Sequence, residues 1–358
     1  MGHKSQNDSK VNNQPDSDIQ NTSYPLVSIA LCVYNGEKYL GEQLDSLVNQ
    51  TYPNIEIVVV DDGSKDRSRE ILRAYAEKYP FFRIFENTAN LGYVKNFEKA
   101  IGLCAGEYIA LCDQDDIWDL EKISKQVTGI GDNLLIYHDS AFMDEQGRQM
   151  TWKRKMSDII HLYRGDDPKV FLYFNCVSGH SILFKRDLRD EFLPFNPDHF
   201  HDHWIAYVAV NLGSIEVIPE TLVRYRQHTT ASTDILNKRK KIRKNYHENR
   251  DIKKLRRDLK WVQQCASFKN NRDQPFLDRL RSLFEERLES FFSFEYAGII
   301  RDNYEKLYFI PVYKKSKKVA FVYRQIWGLR AKLLWARFFA RPEREEYVVS
   351  TSEDERNP

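Results

Sequence analysis

No apolar run in this 358-residue chain approaches the length that crosses a bilayer, so we do not expect an integral membrane protein. The first 24 residues are polar and lack the apolar core of a signal peptide, and Gln6 stands where a myristoylation signal has Ser or Thr. The five cysteines have no CxxC spacing and mostly lie in apolar runs, where cysteine acts as a small hydrophobe. These features favour a cytoplasmic protein.

Two glycine-rich phosphate-binding patterns are also missing. Neither GxGxxG nor GxxxxGK[ST] follows the first apolar run, which disfavours a dinucleotide or P-loop site. Charge is distributed unevenly along the chain: from Lys238 onward there are 30 Lys and Arg and 17 Asp and Glu, whereas the residues before it have 24 and 35. The acidic residues before Lys238 suit a site that binds a cation first and an anionic substrate afterwards. The basic region from Lys238 onward suits contact with an anionic surface or partner.

Short β-rich runs alternate with helical periodicity from Leu26 onward. Strands are predicted at residues 26–35, 55–64, 82–90 and 107–116, and helices at 37–50, 66–79 and 93–106. This order predicts an α/β fold with a mostly parallel, doubly wound sheet, helices on both faces and ligands at the carboxyl ends of the strands.

After Asn237 the strand patterns disappear, and amphipathic charged helices predict a mostly helical C-terminal extension. One predicted helix places Leu277, Leu280, Phe284 and Leu288 on a single stripe. The predicted organisation is a disordered segment at 1–24, an α/β domain at 25–236, a basic helical region at 237–342 and a disordered tail at 343–358. One large α/β domain with a tail is the alternative.

Each predicted strand ends in polar residues that could contact a ligand. These endings are Tyr34-Asn35, Asp61 to Ser64, Asn87 to Gly92, and Asp113 to Asp116. Asp, Asn and Gly are ordinary turn residues at any single position. Four such endings at one edge of a sheet nevertheless predict a ligand site there.

Several stretches resemble, in order and spacing, the family-2 inverting glycosyltransferases with the GT-A fold. They are VSIALCVYNGEKYL, QTYPNIEIVVVDDGSKDRS, NLGYVKNFEKAI, GEYIALCDQDDIW, HDHW and YRQH, within residues Leu26 to Thr233. The closest subgroup contains bacterial surface-polysaccharide enzymes, among them rhamnosyltransferase-like proteins, with a DQDD-I/V-W motif. The resemblance implies a Rossmann-like GT-A sheet with helices on both faces.

The resemblance also implies roles for matched residues. Asp202 is expected to be the general base that accepts a proton. Tyr34 and Asp62 are expected to bind the nucleobase of the donor. Asp115 and His228 are expected to be the ligands of Mn²⁺ or Mg²⁺. The remaining predicted donor-nucleotide residues are Cys32, Asn35, Glu37, Asn90, Lys95, Asp113 and Gln114. The predicted acceptor or donor-sugar residues are Asp116, Trp118, Gly179, His180, His201, Trp204 and Arg226.

The residue types suit these roles. An aromatic ring can stack on a base, and a hard divalent cation can lie between carboxylates and a diphosphate. An inverting transfer is a single displacement, so a carboxylate must take the proton of the acceptor hydroxyl. One departure from the family is YVKNF after Gly92, where many relatives have Ala-Arg-Asn; it leaves Lys95 as the only nearby cation.

Local alternatives remain open at several of these positions. Tyr34 and Asp62 also fit a strand end and an Asp-Gly turn, and His228 fits a surface strand end. Asp115 or Asp116 also fits an N-cap of a predicted helix that starts at Ile117. A further alternative is a zinc site formed by His199, His201 and His203 on one face of a strand.

The predicted function is transfer of a sugar from a UDP- or dTDP-linked donor to a saccharide or lipid-linked acceptor in bacterial cell-surface polysaccharide synthesis. Alternatives are a sugar-nucleotide nucleotidyltransferase and a catalytically silent, membrane-associated binding protein. Residues 313–341 carry nine Lys and Arg, no acid and several aromatics, which fits a helix on an anionic inner membrane surface. The same residues fit equally well a helical subdomain that packs on the α/β core. Nucleic acid is not expected as a partner, because no recognition motif accompanies the basic residues.

Overall fold

The computed structural model describes residues 24–151, 154–228, 248–312 and 315–339. Of the two predicted disordered segments, only Tyr24 falls within these ranges. The first eleven residues of the predicted basic helical region, and its last three, also lie outside the described residues.

Four parallel strands form one half of the sheet, in the spatial order β3-β2-β1-β4. They are β1 (Val27–Val33), β2 (Ile55–Asp61), β3 (Phe82–Glu86) and β4 (Tyr108–Cys112), and the helices between them are α1 (Leu40–Val48), α2 (Ser68–Lys78) and α3 (Tyr93–Leu103). Apolar residues on both faces of β1 are fully buried, as expected for a central parallel strand. The predicted βαβαβαβ order is confirmed.

The other half of the sheet mixes parallel and antiparallel pairing. It contains β5 (Ile117–Trp118), α4 (Lys122–Ile130), β6 (Leu135–Met143), β7 (Leu183–Lys185), α5 (Arg189–Phe192), α6 (His201–Leu212) and β8 (Ile215–Arg226). Strand β7 is antiparallel to both β4 and β6, whereas β6 and β8 are parallel. The full sheet has eight strands in the order β3-β2-β1-β4-β7-β6-β8-β5.

The predicted helix after the aspartates starts in the wrong place. Ile117 and Trp118 form a short strand against Arg224 and Val223 of β8, and α4 begins only at Lys122. The N-cap interpretation of Asp115 and Asp116 was therefore wrong, because β8 pairs with the segment directly after them.

The C-terminal helices pack against the sheet domain. They are α7 (Glu248–Ser267), α8 (Gln274–Glu289), α9 (Phe294–Asp302), α10 (Tyr304–Leu307), α11 (Lys315–Gln325) and α12 (Leu329–Phe339). The predicted stripe of α8 is buried at Leu277, Leu280 and Phe284, in the same apolar cluster as Ile109 of β4. Trp261 of α7 packs against Trp204 of α6. None of the helices among the described residues is long and apolar enough to cross a membrane.

Candidate active site

A cavity of about 860 Å³ opens at the carboxyl ends of β1, β2 and β4 and beside the end of β8. Thirteen of the nineteen predicted site residues line it. They are Cys32, Tyr34, Asn35, Asp62, Asn90, Asp113, Gln114, Asp115, Gly179, His180, His201, Asp202 and His228. The two halves of the sheet thus bring together residues that lie up to 196 positions apart in the chain.

Asp62 organises one end of the cavity. Its Oδ1 accepts hydrogen bonds from Asn87 Nδ2 and the backbone N–H of Leu91, both at 2.8 Å, and its Oδ2 accepts from Gly92 N at 3.0 Å. Gly92 has φ of 82°, a conformation that glycine adopts without strain. The buried carboxylate therefore fixes the loop that follows β3 against the end of β2.

Tyr34 presents its ring to this end of the cavity. Its backbone is held by Gln114, whose Oε1 accepts from Tyr34 N at 2.8 Å and whose Nε2 donates to Tyr34 O at 3.1 Å. Asn35 has φ of 49° and ties the loop to the next one by accepting from Lys65 N at 2.8 Å. Tyr34 as a whole is 45% exposed. Gln114 thus acts on the Tyr34 backbone, which links β1 to β4.

The three aspartates after β4 occupy different environments. Asp115 Oδ2 lies 2.8 Å from His228 Nε2. Asp116 is fully buried, and its Oδ1 accepts from Arg226 N at 2.9 Å. Loss of solvent and the negative charges of Asp115 and Asp202 raise the pKa of Asp113. Loss of solvent likewise raises the pKa of Asp116 well above its usual range.

His180 lies behind these carboxylates. Its Nε2 is 2.8 Å from Ser140 Oγ, and its Nδ1 is 3.9 Å from Asp113 Oδ2 and 3.7 Å from Asp116 Oδ2. Burial lowers the pKa of His180 to about 3, so the imidazole is neutral and has a lone pair to share.

Asp113, Asp116 and His180 form the group among the described residues whose donor atoms, all within 4.8 Å of one another, could hold a metal ion. Asp116 Oδ2 is buried with no hydrogen-bond partner among the described residues, which is the kind of orphaned donor that a cation satisfies. Carboxylate oxygens fit Mg²⁺ or Mn²⁺. Sequence spacing did not indicate this set, because β7 and β4 must pair before His180 reaches the aspartates.

Asp202 lies in the first turn of α6, on the other side of the cavity. Its Oδ1 accepts from His203 N at 2.6 Å and from Asn175 Nδ2 at 3.2 Å, and its Oδ2 accepts from Gly179 N at 3.2 Å. Burial raises its pKa to about 6 despite these hydrogen bonds. The carboxylate is therefore fixed in orientation and more basic than a solvent-exposed aspartate.

The three histidines of this segment do not converge on one point. His201 stacks on Phe97 at 4.5 Å, while His199 and His203 lie 5.2 and 4.0 Å from the Trp261 ring. The segment enters a helix at His201 instead of continuing as a strand, so alternate residues do not share a face. The zinc-site alternative was wrong.

Six predicted site residues do not line the cavity, and each is engaged elsewhere. Lys95 Nζ donates to Glu98 and to Phe195 O. Trp204 Nε1 donates to Phe192 O at 3.0 Å. The remaining four are Glu37, Asp116, Trp118 and Arg226. Glu37 accepts a hydrogen bond from Arg67 N, and Asp116 is fully buried. The Trp118 ring lies 3.6 Å from the Lys122 ammonium.

Arg226 joins three separate segments of the chain through its side chain. Its buried guanidinium donates to Asp115 O at 2.8 Å, Glu145 O at 3.1 Å and Glu42 Oε2 at 2.6 Å. Its Nε, Nη1 and Nη2 are thereby all engaged, so the predicted contact with a donor or acceptor sugar would require these bonds to break.

Several lining residues were not predicted from the sequence. They are Val33, Gly36, Lys38, Tyr39, Tyr93, Asn96, Phe97, Glu145, Ser178, Phe200 and Tyr225. Gly92 was predicted only as part of the strand ending Asn87 to Gly92. Lys38 and Tyr39 lie inside the quoted YNGEKYL stretch, and Phe200 directly precedes HDHW. Proximity to these motifs in the sequence could therefore have indicated all three residues. Glu145 carried no such signal, since it reaches the cavity from a turn after β6.

Solved structures with a similar fold include TarS of S. aureus. Its 1–349 fragment in complex with UDP-GlcNAc aligns with a TM-score of 0.50 and 17% identity, over 79% of this chain and 81% of that one. The longer TarS structure has a TM-score of 0.53 and 16% identity, over 87% and 53%. At such identity the likeness concerns the fold alone, which is GT-A with an added helical region.

Sequence comparison gives the family. A glycosyltransferase of Haemophilus influenzae is 29% identical over 243 residues, covering 65% of this chain and 73% of its own length. One of Rickettsia typhi is 32% identical over 226 residues, covering 60% and 68%. Both are described as uncharacterized. The sequence model of the family described as Glycosyl transferase family 2 matches residues 28–193. The chain therefore belongs to the family-2 glycosyltransferases.

Proposed function

We propose that this enzyme transfers a sugar from a UDP- or dTDP-linked donor to a saccharide or lipid-linked acceptor of a bacterial cell-surface polysaccharide, with inversion. The observation that carries the proposal is the composition of one cavity. It holds a fixed, basic carboxylate at Asp202, an acidic cluster around Asp115, and an exposed Tyr34 ring beside Asp62.

The Tyr34 end is the proposed nucleotide site. The ring stacks on the base, and Asp62 Oδ2, which accepts one hydrogen bond from the described part of the chain, has capacity to accept another from an N–H of the base. The S. aureus TarS fragment binds UDP-GlcNAc, which supports a uridine donor for a chain of the same fold. Asn90 and Cys32 complete the walls of this end.

Asp115 and His228 are the proposed ligands of Mn²⁺ or Mg²⁺, with Asp113 beside them. When bound, such an ion offsets the negative charge that grows on the departing diphosphate. The Asp113, Asp116 and His180 group, which contains neither of these two ligands, is the competing site. The close Asp115 and His228 contact supports the first set, because both side chains already converge on one point of the cavity.

Asp202 is the proposed general base. The acceptor oxygen forms a new bond to the anomeric carbon as the bond from that carbon to the diphosphate oxygen breaks. The acceptor proton passes to a carboxylate oxygen of Asp202, and the nucleoside diphosphate leaves with the electron pair. Gly179 N and His203 N hold the carboxylate in place for this transfer.

The C-terminal helices are the proposed contact with the inner membrane face. Phe292 and Trp327 are 53% and 49% exposed, with ring centroids 5.5 Å apart. Their loops are joined by hydrogen bonds from Ser293 N to Ile326 O and from Gly328 N to Phe291 O. Helices α11 and α12 contain Lys and Arg but no acid. Aromatic rings beside cationic helices suit an anionic bilayer surface.

The decisive experiment is incubation with a panel of UDP-, dTDP- and GDP-sugars plus Mn²⁺, with release of nucleoside diphosphate as the readout. We expect release from one donor class, increased by the matching acceptor, and at least about a hundredfold slower in Asp202→Asn at unchanged nucleotide affinity. Pyrophosphate release from a nucleoside triphosphate and a sugar phosphate would favour a nucleotidyltransferase. Donor binding without turnover would favour a silent binding protein.

A further inference from the structure

The cavity has a strong excess of negative charge. Five carboxylates line it: Asp62, Asp113, Asp115, Glu145 and Asp202. Lys38 is the single Lys or Arg among the described lining residues. A nucleoside diphosphate adds further negative charge to this field, so binding it requires cations near both phosphates. One divalent ion supplies part of that charge, and Lys38 is the side chain available for the rest.

Lys38 is placed at the acidic end of the cavity. It lies in the turn before α1, which closes through hydrogen bonds from Tyr39 N and Leu40 N to Gly36 O. The next residue, Tyr39, has its ring centroid 5.2 Å from that of His228, the partner of Asp115. Lys38 therefore lies beside the proposed metal ligands, well placed to contact the diphosphate.

Lys38 already has an anionic partner. Its Nζ lies 3.6 Å from Glu145 Oε2, and the two side chains are 63% and 35% exposed. An ion pair with this much solvent contact contributes little, and the ammonium is carried on a flexible stem, here 4.9 Å from the Tyr39 ring centroid. A phosphate group that enters the cavity can therefore replace Glu145 at small cost.

Glu145, in contrast, belongs to a fixed turn. Its carbonyl oxygen accepts from Arg226 Nη1, and the turn closes through Gly147 N to Asp144 O at 3.0 Å. The same Arg226 guanidinium donates to Asp115 O, which joins this turn to the acidic cluster. Exchange of partners thus moves the lysine and leaves the glutamate in place.

We propose that Lys38 binds the diphosphate of the donor, exchanging the Glu145 carboxylate for a phosphate oxygen. This inference rests on the proposed function only in taking a nucleoside diphosphate as the ligand. Charge-assisted hydrogen bonds from Lys to phosphate are strong, so loss of the ammonium has a measurable effect on affinity. Glu145 then acts as a competitor that holds Lys38 at the cavity before the donor arrives.

The test is calorimetric titration of the full chain with UDP, dTDP and GDP, and with their monophosphates, in Mn²⁺. We expect Lys38→Met to weaken diphosphate binding about tenfold and monophosphate binding much less. Lys38→Arg should retain most of the affinity. Glu145→Gln should strengthen diphosphate binding, because the competitor is gone. Lys65→Met is the matched control, since Lys65 is exposed on the neighbouring loop and does not line the cavity.

Three results would overturn the inference. If the Lys38→Met variant binds the diphosphates as tightly as the unmodified protein, Lys38 does not contact the ligand. That result would leave the proposed function unchanged. Weaker binding in Glu145→Gln would show that Glu145 supports the ligand and does not compete with it. Absence of nucleotide binding to the unmodified protein would overturn the proposed donor class and the role of Lys38 together.

Discussion

His228 Nε2 and Asp115 Oδ2 lie 2.8 Å apart, although the two residues are 113 positions apart in the sequence. The contact follows from the sheet: β8 pairs with Ile117 and Trp118, so the residues just after β8 must lie beside the residues just before β5. Pairing of β8 with this two-residue strand and with β6 thus brings the last motif of the sheet domain to the acidic cluster.

Asp115→Ala should lower the affinity for Mn²⁺ by about tenfold or more, because it removes an anionic oxygen ligand. His180→Ala should change that affinity little if the ion binds at Asp115 and His228. The measurement is titration with Mn²⁺ followed by electron paramagnetic resonance of the free ion. The opposite pattern would assign the ion to the buried group of Asp113, Asp116 and His180.

The rate of sugar transfer should fall as the pH decreases through about 6. Burial raises the pKa of Asp202 from its usual range to about 6, so the carboxylate is ionised above that pH and protonated below it. A protonated carboxyl cannot accept the acceptor proton, so kcat/KM should decrease about tenfold per pH unit well below 6. Initial rates between pH 5 and 8 at saturating Mn²⁺ measure this, and a flat profile would contradict the role of Asp202.

Arg226→Met should lower the free energy of unfolding by about 2 kcal/mol, because two partly buried carbonyl groups lose a charged donor. The carbonyl oxygens concerned are those of Asp115 and Glu145. Urea denaturation measures the change. Arg224→Met is the matched control, since Arg224 is exposed on the same strand two residues earlier. A large loss of donor affinity at unchanged stability would instead support the predicted contact of Arg226 with the donor.

Binding to vesicles should depend on both charge and exposed rings. We expect the full chain to float with vesicles of phosphatidylcholine and phosphatidylglycerol but not with phosphatidylcholine alone, and high salt should weaken binding. Phe292→Ser combined with Trp327→Ser should reduce flotation. Leu120→Ser is the control, since Leu120 is an equally exposed apolar residue close to the start of α4. Equal flotation of both variants would exclude these two loops as the contact.

Local patterns were sufficient for the first half of the fold. Strands such as Val27–Val33 are continuous apolar runs, and Asp62 and Asp113 follow their strands directly, so their convergence at one edge was predictable. The role of Gln114 was not, because its side chain turns back to the Tyr34 backbone 80 positions earlier.

The second half depended on contacts between distant segments. Ile117 and Trp118 are strand residues only because β8 lies beside them, and their own sequence also fits a helix start. His180 reaches the aspartates through β7, and Glu145 reaches the cavity through a turn after β6. No spacing rule relates such positions, since tertiary pairing overrides local preference.

The bonds of Arg226 have a consequence for the order in which this protein can be made. Its guanidinium holds Glu42, Asp115 and Glu145, which precede it by 184, 111 and 81 positions. During synthesis from the N-terminus, the β3-β2-β1-β4 half can pair long before β8 has been translated. The acidic wall of the cavity can close only afterwards, so a nascent or truncated chain ending before Arg226 is expected to fold in part but to lack a formed cleft.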